Sequence, residues 1–184
     1  MNTAAWSGGE TEQIYIFPED GNFESGDFGY RFSIASINDE KTEFTFMENI
    51  GRVFMAIDPF RLEIDGDGYA IARGETLNFK SQQKVTCEGK GKAFNVMIGD
   101  PSYRVSVQFL ELQPGEFITE KIENHHFYYL YNGDCIVKEF SFREVMHQGD
   151  LLTVDSSTNQ ARLKIMSEKV IQLIRVDLLK SQIV

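Results

Sequence analysis

The sequence predicts an all-β protein. Three observations carry that expectation: apolar residues alternate with a period of two, turn-forming pairs separate the alternating runs, and helix-start signals are scarce. The aromatic content points the same way. There are 15 Phe and 7 Tyr against a single Trp, and such rings favour a pleated, half-buried surface.

In chain order, Ile14-Tyr15-Ile16-Phe17 is a first short strand, followed by the turn signal Asp20-Gly21-Asn22. Phe28, Tyr30, Phe32 and Ile34 then share one side of a strand, with Arg31, Ser33 and Ala35 on the other. Val53 to Ile57 leads through Asp58-Pro59 into Phe60, Leu62 and Ile64, which alternate with Arg61, Glu63 and Asp65. Asp65-Gly66-Asp67-Gly68 reads as a hairpin turn between Ile64 and Tyr69. It fails as a calcium loop, because the twelfth position is Thr76 and not a bidentate Glu. Phe94-Asn95-Val96-Met97 follows, then Tyr103, Val105, Val107 and Phe109 alternating with Arg104, Ser106 and Gln108. Arg143 to His147 reads as a single helical turn. Val170 to Leu179 fits either period and is read as a strand, being β-branched and without an N-cap.

Composition narrows the class. With 42% hydrophobic residues in 184, the chain has material for a buried core. Its net charge of -10 repels phosphate backbones and anionic lipid surfaces, so neither nucleic acid nor membrane is an expected partner. No apolar run is long enough to span a bilayer, and residues 1–9 lack a basic and an apolar leader region; the expected compartment is the cytoplasm. Cys87 and Cys135 lie far apart, outside any CxxC spacing, and read as buried free thiols.

An internal echo refines the fold. Val53 to Ile57, a turn, Phe60 to Ile64, then Gly74-Glu75 and an apolar strand are matched by Phe127 to Tyr131, Asn132-Gly133-Asp134, Cys135 to Val137, then Gly149-Asp150 and Leu151 to Val154. Strand, tight turn, strand, loop, Gly-acid and strand is the rhythm of a cupin, a small jelly-roll barrel. The expectation is therefore two cupin-like (jelly-roll) barrels packed together, residues 1–99 and 100–184, with a junction near Gly99-Asp100-Pro101.

The first half also resembles the HutD/Ves family. Trp6-Ser7-Gly8-Gly9-Glu10-Thr11-Glu12-Gln13-Ile14-Tyr15-Ile16-Phe17-Pro18 is similar to that family's opening W-S-G-G-x-T-x-Q-I-Y-I-[YF]-P. Asp27-Phe28-Gly29-Tyr30-Arg31-Phe32-Ser33-Ile34-Ala35 is similar to its D-F-x-[WFY]-R-[IF]-S-x-A, and Phe44-Thr45, Gly51-Arg52 and Phe94-Asn95-Val96-Met97 match further segments in order. Ala93 stands where the family has an acid, and the G-x-x-R spacing is shortened to Gly51-Arg52. The resemblance implies a bicupin in the cytoplasm, sometimes linked to histidine breakdown, without an established enzyme activity.

Cupin enzymes usually hold a metal through an H-x-H pair, because residues i and i+2 share a strand face. Here the three histidines are His125, His126 and His147, and the adjacent pair points to opposite faces. Glu123, His125 and His147 form only a weak metal candidate, and no motif calls for a cofactor. An arginine inside a small barrel needs a carboxylate partner or an anionic ligand. Arg31 is therefore expected either to pair with Glu10 or Glu12 or to bind a ligand. On the family-motif positions, the resemblance implies a site in which Arg31 and Arg52 hold a small carboxylate. Ser33 and Asn95 add hydrogen bonds there, and Trp6 and Met97 form an apolar wall. Two other functions compete with such a binding and sensing role: a cupin enzyme (an isomerase or metal-dependent oxygenase), and a module that forms a homodimer through strand edges.

Overall fold

The computed structural model describes residues 2–121, 125–139, 142–154 and 162–181. Every regular element among them is a strand, numbered in chain order, and no helix is long and apolar enough to cross a membrane. The chain divides into two compact units. The first runs to Arg104 and takes in Ser181; the second is Val105–Lys180, so the division falls inside a strand.

In the first unit a six-stranded antiparallel sheet has the order β1 (Asn2–Trp6), β2 (Gly9–Phe17), β3 (Tyr30–Ile37), β10 (Gly91–Ile98), β5 (Gly51–Ala56), β8 (Thr76–Lys80). A four-stranded antiparallel sheet has the order β4 (Lys41–Glu43), β9 (Val85–Glu88), β6 (Phe60–Ile64), β7 (Asp67–Ile71). The two sheets share a core in which Ile37, Phe54, Ala56 and Ala93 of the larger meet Phe60, Leu62, Ile64 and Cys87 of the smaller.

In the second unit one sheet has the order β11 (Tyr103–Leu112), β18 (Ile171–Lys180), β13 (His125–Asn132), β16 (Leu151–Val154). The other has the order β12 (Phe117–Lys121), β17 (Arg162–Met166), β14 (Cys135–Glu139), β15 (Phe142–Met146). Tyr128, Leu130 and Leu173 of the first sheet pack with Val137, Leu163 and Ile165 of the second.

The repeat is topological. Setting aside β1 and β2, each strand of the first unit corresponds to the strand eight numbers later in the second, in both sheets and in the same order. Each unit is thus an eight-stranded, two-sheet jelly roll of cupin type. The sequence echo at Val53 to Ile64 and Phe127 to Val137 marks β5–β6 and β13–β14, corresponding strand pairs in which the chain crosses from one sheet of its unit to the other.

Local details follow the sequence in most places. Asp65 and Gly66, with φ of 52° and 97°, join β6 to β7 in the two-residue hairpin that Asp-Gly favours. The ambiguous C-terminal stretch is β18, a strand. The one element misread is Arg143 to His147, which is not helical: Phe142–Met146 is β15, paired with β14 at the edge of its sheet. An edge strand keeps its charges in water, so Arg143 and Glu144 interrupt the alternation while Met146 alone is buried.

Candidate functional site

Strand parity builds the site. On β3, β10 and β5 the paired residues form rows across the sheet: Arg31–Met97–Arg52, then Ser33–Asn95–Phe54, then Ala35–Ala93–Ala56. Residues paired directly across antiparallel strands point to the same face. That face looks into the first unit, since Phe54, Ala56 and Ala93 belong to its core. The opposite rows, which include Phe32, Phe94 and Val96, are also fully buried, so these central strands carry side chains buried on both faces. The polar row of Arg31 and Ser33 therefore lies in the barrel interior, whereas that of Arg104, Ser106 and Gln108 in the second unit is exposed.

The first two rows floor a cavity of about 240 Å³. Its walls include Trp6, Arg31, Ser33, Arg52, Asn95 and Met97, the six residues singled out from the sequence. Ala4, Ala5 and Thr11 of the extra strands β1 and β2 add to the wall, as do Phe23, Glu24, Phe44 and Thr45 from loops.

The two arginines dominate its electrostatics. Arg31 is 5% and Arg52 8% exposed. Arg31 donates from Nε to Gln13 Oε1 at 2.8 Å and from Nη1 to Ser33 Oγ at 3.1 Å. Phe23 lies 4.1 Å beneath its guanidinium, while Phe44 and Phe79 lie 5.3 and 5.7 Å from that of Arg52. Ring faces are negative, so each guanidinium gains some compensation from them. Neither arginine forms an ion pair with a carboxylate among the described residues. Both guanidinium pKa values are lowered to about 10, that of Arg31 by burial and that of Arg52 by burial and, less strongly, by the charge of Arg31. Three buried groups around the cavity have no hydrogen-bond partner: Arg52 Nε, Asn95 Oδ1 and Trp6 Nε1.

The pairing of Arg31 with Glu10 or Glu12 does not occur. Glu10 and Glu12 pair with Ser36 and Ile34, on the opposite parity of β3 from Arg31, and Gln13 takes the guanidinium instead. The metal candidate is not assembled. Glu123 lies outside the described residues; His125 is exposed at the start of β13, while His147 bonds Asp134 at 2.8 Å beside Asp150, whose carbonyl accepts from Leu130 N. Five residues of strand, about 16 Å at ~3.3 Å each, separate His125 from Leu130. Among the described residues no group of three or more His, Cys, Asp or Glu side chains is arranged to hold a metal ion.

The second unit carries a different polar interior, which sequence reasoning missed. Arg52 is the second residue of β5 and pairs with Met97, the seventh of β10. At the corresponding positions His126, second in β13, pairs with Asp177, seventh in β18. His126 Nδ1 hydrogen-bonds Asp177 Oδ1, which also accepts from Arg175 Nε at 2.8 Å; Ser106 Oγ donates to Oδ2 at 3.3 Å. Here the half-buried guanidinium of Arg175 has its counter-ion.

A two-sheet jelly roll repeated with the same strand order, its first copy holding a largely apolar cavity with two buried arginines, defines a double cupin-like protein. The chain belongs to the HutD family, whose model matches residues 1–172. Its structure is similar to that of a conserved protein of unknown function from Pseudomonas aeruginosa PAO1, with a TM-score of 0.81 and 18% identity over 96% of this chain and 93% of that one. HutD from Pseudomonas fluorescens SBW25, solved in a formate condition, gives 0.69 and 19% over 98% and 95%. A vicilin from Solanum melongena, whose structure revealed different anionic ligands in structurally similar pockets, gives 0.71 and 6% over 96% and 82%. No curated protein sequence matches.

Proposed function

We propose that the first barrel binds a small carboxylate metabolite and that the protein works as a sensor or regulator, with histidine utilisation as the context its family supplies. The observation that carries this reading is the pair Arg31 and Arg52, buried around one cavity with no carboxylate partner among the described residues. A buried cation without a counter-ion is costly, and a ligand carboxylate offsets that cost through charge-assisted hydrogen bonds. Arg52 keeps an unpartnered Nε for this purpose, and Ser33 retains its hydroxyl proton after accepting from Arg31. The anionic ligands reported for the vicilin, and the formate condition of the Pseudomonas fluorescens HutD, are in keeping with such a role.

Calorimetric titration with formylated and acylated amino acids tests the reading, run beside an Arg31→Ala variant. Binding by the native protein and loss in the variant are expected. Equal silence from both would sink it.

A further inference from the structure

The cavity says more about its occupant than the sign of its charge. We propose that the ligand is a monocarboxylate whose far end carries a neutral group able both to donate and to accept a hydrogen bond, a hydroxyl or a primary amide. This rests on the carboxylate reading above and narrows it.

Asn95 lies two residues before Met97 on β10 and on the same face, one row inward from the two guanidiniums. That spacing is about 6.6 Å along the strand. Asn95 is only 8% exposed, and its Oδ1 accepts no hydrogen bond. A carboxylate held by Arg31 and Arg52 has no proton to offer it. The occupant must therefore extend past the arginine row and bring a donor. Trp6, on the same cavity, buries an indole N–H with no acceptor. Indole N–H only donates and an amide oxygen only accepts, whereas a hydroxyl or primary amide answers both.

Charged alternatives serve the cavity less well. An ammonium offers no acceptor for Trp6 and adds a third cation beside two uncompensated ones. A second carboxylate offers no donor to Asn95. Glu24, the one acidic residue on the wall, is exposed and forms no ion pair with either arginine among the described residues, so it is the donor demand of Asn95 that argues for a neutral far end.

Five acids with a four-carbon backbone differ at the far end alone: butyrate, 4-hydroxybutyrate, succinamate, 4-aminobutyrate and succinate. Titrated into the full chain by calorimetry, 4-hydroxybutyrate and succinamate are expected to bind on the order of tenfold tighter than butyrate, the increment of one buried hydrogen bond. Aminobutyrate and succinate should gain nothing over butyrate. Asn95→Ala should erase the advantage, and Trp6→Phe, which removes the indole N–H and keeps an apolar ring, should reduce it. If all five bind alike, or if the amine or the diacid binds tightest, this inference is wrong while the carboxylate reading stands. If none binds, the carboxylate reading falls with it.

Discussion

Arg31 and Arg52 converge on one atom: Nη1 of the first and Nη2 of the second each lie 4.0 Å from Met97 Sδ. A thioether is a weak acceptor and carries no charge, so it holds the two cations apart without neutralising either.

Replacing one cation by an apolar side chain of similar length should therefore stabilise the empty protein. Arg52→Met is expected to raise the unfolding free energy by about 1–4 kcal/mol, the range seen when buried charges give way to packed apolar groups. The same variant should lose carboxylate binding. Urea denaturation beside calorimetry checks both; a destabilised variant would mean that Arg52 is already compensated.

Trp6 is the sole tryptophan, and it lines the cavity. A Cβ at Gly8 would come within 2.1 Å of Thr42 Oγ1 and 2.3 Å of Trp6 Cζ3, so Gly8→Ala must push the indole ring aside. Its emission maximum should shift, and ligand affinity should fall several-fold with the fold retained. Unchanged emission and affinity would show that Trp6 is not held against Gly8 in solution.

Asp177 binds His126, Arg175 and Ser106 at once. Removing it in Asp177→Ala takes away the acceptor shared by Arg175, His126 and Ser106, a change expected to cost about 1–3 kcal/mol. Asp177→Asn keeps an acceptor and should cost less. Chemical denaturation of the two variants would reveal the order; equal stability would contradict the network.

The cysteines set an alkaline limit. Burial pushes the Cys87 thiol up to about 12 and that of Cys135 to about 11, with the nearby acids Glu88, and Asp134 and Asp150, adding to the effect. Both values lie above the ordinary 9.0. The native state therefore holds protons that the unfolded chain releases first. The stability this contributes is complete below about pH 9 and is lost as pH rises toward 11 and 12. Unfolding free energy should decline across that window, and neither thiol should react with iodoacetamide at pH 8 until denaturant is added. Rapid alkylation of the native protein would refute the burial.

Strand parity explains why the site was so legible. Arg31 with Ser33, and Asn95 with Met97, stand two apart, so one face was certain once each strand was recognised. What escaped notice lies outside that rule. Gln13 reaches Arg31 because it pairs directly with Ser33 and so shares its face, a register between β2 and β3 that spacing within either strand does not reveal. Phe23 comes from the loop between β2 and β3, where periodicity says nothing. His126 and Asp177 are separated by 51 residues and meet only through the β13–β18 ladder. At the edge, β15 carries Arg143 and Glu144 because half its backbone faces solvent, which hid its alternation.

The matching registers of the two jelly rolls have an evolutionary consequence. A duplicated barrel lets one copy keep an arginine paired with a carboxylate while the other keeps two arginines with none among the described residues. The copy with internal ion pairing can mutate at its floor only by swapping whole sets of residues together. The copy whose arginines lack a carboxylate among the described residues can change its other wall residues, such as Ala4, Ala5 or Phe23, one side chain at a time while Arg31, Arg52 and Asn95 stay in place.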